Sequence, residues 1–259
     1  MRRSVAALSV AIGVASAAHA QIAPVKAGVF PWASARGVDV GRGRVERVIL
    51  VGSTLDLDSL EIRAVTLPAG AAPDSSAAHD SLESFMMVKE GKLWVTLNGV
   101  SRALGAGSVA LALPGDRIIK STMSSAPATY YLFTYRSRAP MDLNRGKQAG
   151  GSFMVDFDEQ GEKPTASGVQ RPMLNRPTAM FKRFESHWSS VNQGLRNHQT
   201  HTHRADEFMM MTRGNVAVSI GTAEPPATAS DLVFLGSMIP HSLASKGPGP
   251  AQYLVIQGE

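Results

Sequence analysis

Apolar positions along this chain recur mostly at every second residue, in short runs interrupted by glycine, proline and asparagine. Val216, Val218 and Ile220 alternate with Ala217 and Ser219, and Leu93, Val95 and Leu97 are spaced in the same way. A period of two belongs to strands with one buried face. Turn signals such as "LNG", "PGD" and "GPGP" separate the runs, as in a β-sandwich or barrel. The 24 glycines and 15 prolines, with few long helical patterns, point the same way and predict an all-β protein.

The pattern occurs twice. "ESFMMVKEGKLWVTLNG" (Glu83 to Gly99) matches "DEFMMMTRGNVAVSIG" (Asp206 to Gly221), with Phe85 and Phe208, and Gly91 and Gly214, all separated by the same 123 residues. Upstream, "LEIRAVTLPAG" (Leu60 to Gly70) resembles "FESHWSSVNQG" (Phe184 to Gly194), and downstream "GSVALALPGD" resembles "SDLVFLGSMI". Such a repeat predicts two copies of one all-β unit of roughly 100 residues each. The polar, glycine-rich stretch from Pro140 to Pro177 is expected to hold the connection and the first strands of the second unit. The units are therefore placed at residues 21–145 and 146–259. Met86, Met87 and Met209 to Met211 read as core filler, a common use of methionine.

Residues 1–20 stand outside this pattern. "MRR", a short alanine-rich apolar run and a closing "AHA" have the form of a cleavable secretory signal. The run is too short for a good membrane anchor. The expectation is a periplasmic or secreted protein with no membrane span after cleavage. The chain has no cysteine, so no disulfide would hold the exported protein, which leaves its core and any bound metal. Removing Arg2 and Arg3 from the formal charge of +5 leaves +3. That charge is mild and scattered, without a basic stripe or aromatic platform, and nucleic acid is set aside as a partner.

Three of the seven histidines fall in "HQTHTHRADE", His198 to Glu207. On an extended chain His201, His203 and Glu207 share a face, while His198 has the other parity. Two imidazoles and a carboxylate on one face suit a first-row transition metal and leave positions open for water or substrate. A fourth ligand is expected from another strand, and His241, just after the turn "GSMIP", is the natural candidate. His187 and His198 do not fit the set and read as pocket-rim or surface residues.

Gly194, His201, His203, Glu207 and Gly214 resemble the first motif of the cupin superfamily, and Asp231 through His241 resembles the second. Six residues separate Gly194 from His201 where five is common, and Gly236 stands where proline often does. Because the repeat extends the likeness to both halves, the chain resembles a bicupin. That resemblance implies two jelly-roll β-barrels in one chain, with one divalent metal held in the second by His201, His203, Glu207 and His241. Mn, Fe, Zn and Ni all suit such a site.

In the first copy the ligand set is broken. Counted from Gly70, His79 and Glu83 fall at the positions of His203 and Glu207, and Ala77 replaces His201. Counted back from Gly91, Ala78 and Asp80 replace the two histidines. Ile118 or Ile119 replaces His241. Either count leaves the first barrel degenerate and structural.

The layout resembles bicupins of the ureidoglycine aminohydrolase kind, whereas the ligand spacing resembles the germin and oxalate-decarboxylase kind. The expectation is a metal-dependent enzyme, a hydrolase, oxidoreductase or lyase, acting on a small polar molecule, with carboxylates among the candidates. The alternative is a cupin that binds a small ligand without catalysis. Arg204, Arg213, Lys182 and Arg183 were the candidates for contacting a carboxylate, although a solvated role is commoner for such residues. Glu185 is a candidate acid or base, but Glu61 at the matching place in the first copy favours a structural role. The resemblance also allows a homodimer.

Overall fold

The structure is a computed structural model that describes residues 22–73, 79–123 and 125–259; the leader expected at 1–20 and Ala77 and Ala78 lie outside these residues. The period-two runs form strands. The first half contributes β1 (Gly28–Phe30), β2 (Val38–Asp39), β3 (Val45–Gly52), β4 (Leu57–Leu67) and β5 (Glu83–Glu90). It continues with β6 (Leu93–Leu97), β7 (Val100–Leu104), β8 (Val109–Ala112), β9 (Ile118–Ser121) and β10 (Ala128–Ser137). A short helix, α1 (Leu143–Gln148), then leads into β11 (Phe153–Val155), β12 (Lys163–Thr165), β13 (Gly168–Arg176), β14 (Phe184–Val191) and β15 (Asp206–Arg213). The chain ends with β16 (Asn215–Ile220), β17 (Pro226–Thr228), β18 (Leu232–Leu235), β19 (His241–Ser245) and β20 (Ala251–Gly258). Among the described residues no helix is long and apolar enough to cross a membrane.

Each half pairs a seven-stranded sheet with a three-stranded one. The large sheets run β11-β8-β5-β10-β4-β3-β2 and β1-β18-β15-β20-β14-β13-β12, and the small ones β7-β6-β9 and β17-β16-β19. The edge strands are exchanged. β1 of the first half lies against β18 of the second, and β11, from the connecting stretch, lies against β8 of the first. The segment Pro140 to Pro177 thus supplies β11 to the first large sheet and β12 and β13 to the second.

Three apolar cores follow from this arrangement. One face of each large sheet turns into its own barrel, where Met86, Val95 and Tyr130 pack in the first and Met209, Val218 and Leu243 in the second. The opposite faces of the two large sheets meet in the largest core, where Phe85, Met87 and Phe133 pack with Phe184, Phe208 and Met210. This explains why β5 and β15 carry nearly continuous apolar runs instead of alternation, since both of their faces are buried. The methionines are core filler, as expected. Across the seam Phe85 meets Phe184 edge-on at 5.6 Å and Phe133 meets Phe208 at 5.9 Å. Pairs of this kind add about 0.5–1.5 kcal/mol each beyond the area they bury.

The ladders also settle the register of the repeat. Arg63 opposes Leu132 as His187 opposes Val255, so in β4 and β14 the two copies are 124 residues apart. Ser84 opposes Ala112 as Glu207 opposes Leu235, so from β5 and β15 onwards they are 123 apart. A single-residue difference between Gly70 and Glu83 reconciles the two counts. Ser84, not Glu83, stands in the place of Glu207, and Ile118 stands in the place of His241.

Candidate metal centre

The side chains expected as metal ligands come from one loop and two strand ends. Strand parity put His201, His203 and Glu207 on one extended strand, and the structure corrects this. β15 begins only at Asp206. His201 lies ahead of it in an isolated bridge to His241, and the chain bends at Arg204 and Ala205. The bend has two visible anchors. His203 Nδ1 donates to the Ala205 carbonyl at 2.9 Å, and Arg204 reaches the first half in a two-pronged pair with Asp56 at 2.6 and 2.7 Å. From the other side Met238, in the left-handed region at φ 60°, donates its N–H to the His203 carbonyl at 2.8 Å. This is the turn expected at "GSMIP", and it delivers His241 to the start of β19.

The four residues expected as ligands are brought together. Ring nitrogens of His201, His203 and His241 lie within 4.8 Å of one another. Glu207 Oε2 is 3.2 Å from His203 Nε2 and 3.9 Å from His241 Nε2. His241 Nδ1 donates to the Ile239 carbonyl at 2.8 Å, which leaves Nε2 with the lone pair. That Nε2 is buried and has no hydrogen-bond partner. An orphaned buried acceptor facing two further imidazoles and a carboxylate fits a cation.

The electrostatics agree. The hydrogen bond to Glu207 holds His203 above the usual imidazole range, although burial opposes it. Burial pulls His241 below that range. Burial alone would raise Glu207, but the hydrogen bond with His203, the charge of His241 and a hydrogen bond from Gln257 Nε2 bring it below its ordinary value.

Beside this cluster lies a cavity of about 250 Å3 whose lining includes His198, His201, Glu207 and Gln257 but neither His203 nor His241. His198 was dropped from the ligand face by parity, yet its ring packs 4.2 Å from that of His201, with Nδ1 atoms 3.0 Å apart. His187, read from sequence as a rim or surface residue, also lines the cavity. Gln257, absent from the candidates read from sequence, lines the cavity as well. Its signal was a polar residue sharing parity with Tyr253 and Val255 in an otherwise apolar inward row.

None of the four cations considered for carboxylate binding lines the cavity. Arg183 pairs with Glu185 and Glu259, and Arg204 pairs with Asp56. The first barrel keeps a cavity too, about 410 Å3 and lined by Ser84, Ile118, Arg63 and Lys120 among others. Among the described residues it holds no cluster of metal-ligating groups.

No protein-family model matches the sequence, and no curated protein matches it. The fold does have solved counterparts. A glyoxylate-induced protein of Pseudomonas aeruginosa superposes with a TM-score of 0.70 at 16% identity, over 95% of this chain and 93% of that one. The oxalate decarboxylase of Lactobacillus farciminis, solved with formate, gives 0.72 at 11% identity, over 91% and 87%. YlbA of E. coli gives 0.66 at 14% identity, over 87% and 86%. These neighbours are cupin-type proteins.

Proposed function

Since the chain has the bicupin fold, two jelly-roll barrels in one polypeptide, we propose that its second barrel binds one divalent transition metal and acts as a metal-dependent enzyme on a small polar substrate. The observation that carries this reading is the buried, unpartnered His241 Nε2 facing His201, His203 and Glu207. His201, His203, His241 and Glu207 would hold the ion, three neutral nitrogens and one carboxylate oxygen, a set that suits Mn, Fe, Ni or Zn. When bound, such an ion polarises a carbonyl or carboxylate oxygen, or lowers the pKa of a bound water.

The chain's own residues supply the remainder. The carbonyls of Ala205 and Ile239 fix the tautomers of His203 and His241. Gln257 orients the Glu207 carboxylate from the neighbouring strand, where the two residues lie directly opposite. At about 250 Å3 the cavity falls below the usual 300–1,000 Å3 of pockets for drug-sized ligands, which favours a small substrate. Export belongs to the same proposal and rests on the basic, apolar and "AHA" pattern of residues 1–20.

The test is elemental analysis of the purified protein beside a His201→Ala/His203→Ala variant. The expected result is close to one transition-metal ion per wild-type chain and a near-complete loss in the variant. Equal metal content in both would refute the site.

A further inference from the structure

The loop that carries His201 and His203 is held from the other half of the molecule. The first half reaches it through the turn Thr54 to Leu57, just ahead of β4. That turn is tied at both ends: the Thr54 N–H donates to the Leu57 carbonyl at 2.9 Å, and the Leu57 N–H donates to Thr54 Oγ1 at 3.2 Å. Arg138 grips it from outside, with its N–H on the Asp56 carbonyl at 2.8 Å and its Nε on the Thr54 carbonyl at 3.0 Å. Leu57 is buried in the core shared by the two halves. The Asp56 carboxylate thus leaves a fixed backbone, and it accepts from both arms of Arg204, at 2.6 and 2.7 Å. Two parallel charge-assisted bonds fix orientation as well as distance.

Arg204 lies between His203 and the bend at Ala205, and short bonds on either side of it tie the site together. The His203 carbonyl accepts from the Met238 N–H at 2.8 Å, and Asp206 Oδ1 accepts from the Ser237 N–H at 2.9 Å. The loop carrying His203 is thereby joined to the turn that delivers His241.

The second half has a turn built alike. At the spacing of 124 residues that relates β4 to β14, the Thr178 N–H donates to the Phe181 carbonyl at 2.9 Å and the Phe181 N–H to Thr178 Oγ1 at 3.1 Å. This turn meets Glu83 of the first half through the Ala179 N–H. In the place of Asp56 it carries the buried Met180. Of the two turns, only the one facing the histidine loop presents a carboxylate.

Resting on the metal reading above, we propose that Asp56 of the first half is a positioning residue for the metal site. Through Arg204 it fixes the bend that aims His203 at the ion, so ion affinity in the second barrel depends on a contact made by the first. The coupling is reciprocal, and a bound ion strengthens the contact by the same factor. Electrostatics alone predicts a different pattern. Removing the negative charge of Asp56 would weaken the hold on a nearby cation, whereas removing the positive charge of Arg204 would strengthen it. Positioning predicts a loss in both cases.

The test is the Zn2+ affinity of the metal-stripped chain, read by competition with a chromophoric chelator, for the wild type, Asp56→Asn, Arg204→Gln and the double variant. Asp58→Asn is the control, since Asp58 lies two residues away and pairs with Arg136 of its own half. Each single variant is expected to bind zinc about tenfold more weakly, the lower end of the range for groups that orient metal ligands. The double variant should bind no more weakly than either single one, because both residues act through one contact. Asp58→Asn should match the wild type. The melting temperatures of the metal-free variants should stay close to that of the wild type, because a pair with an exposed arginine adds little to stability. The visible absorption of the Co2+-loaded protein, which reports ligand geometry, should change in Asp56→Asn and not in Asp58→Asn. Absence of zinc uptake by the wild-type chain would overturn the metal reading and this inference with it. Zinc uptake by the wild type would overturn this inference alone if it came with unchanged affinity or an unchanged Co2+ spectrum in Asp56→Asn, or with tighter binding by Arg204→Gln. Additive losses in the double variant, an equal loss in Asp58→Asn, or losses that track a fall in melting temperature would do the same.

Discussion

Glu83 and Asp206 occupy matching places in the repeat, each one residue before a position that points into its barrel. Both are buried, and burial raises both pKa values. Glu83 spans the seam between the halves, accepting from the Tyr135 hydroxyl at 2.7 Å and from the Ala179 N–H of the second half at 3.0 Å. Because its native pKa is raised, Glu83 binds its proton more tightly when folded than when unfolded. Its contribution is fully present below the ordinary value near 4.5 and is lost as the pH rises through the native value. Melting temperatures measured from pH 4.5 to 8 should therefore fall less steeply for Glu83→Gln than for the wild type. Parallel curves would contradict this assignment of the carboxyl. Spacing alone obscures this: Glu83 sits one residue from the place that matches Glu207, and its carboxylate meets the second half instead of the interior of its own barrel.

At the scale of elements, the repeat and the period of two were legible because they follow from burial, which acts on every second side chain of a strand. The turn glycines were legible for a similar reason. Gly91 and Gly214 both have φ of 79°, and a Cβ would lie 2.5 Å from the Pro127 carbonyl oxygen in the first case and 2.8 Å from that of Pro250 in the second. Gly214→Ala should therefore destabilise the protein by roughly 1–3 kcal/mol, measured by denaturant unfolding. A change within about 0.5 kcal/mol, the range of neutral surface substitutions, would show that the turn relaxes. The exchanged strands were not legible. β1 and β11 have only three residues each, too few to show a period, and their partners lie in the other half. The loop carrying His201 and His203 was read as strand because parity survives in any locally extended chain, whereas the bend at Arg204 depends on Asp56, 148 residues away.

At the scale of the whole molecule, duplication has left two barrels with different fates. They share the largest apolar core and trade edge strands. All four side chains proposed as ligands occur only in the second barrel, while Ser84 and Ile118 occupy two of the corresponding places in the first. Reconstitution with metal separates the two barrels. Metal-stripped protein titrated with Mn2+ or Zn2+ in a calorimeter should take up one ion per chain, and His241→Ala should take up none with comparable affinity. Two ions per chain, or an unchanged isotherm for His241→Ala, would contradict a single site in the second barrel.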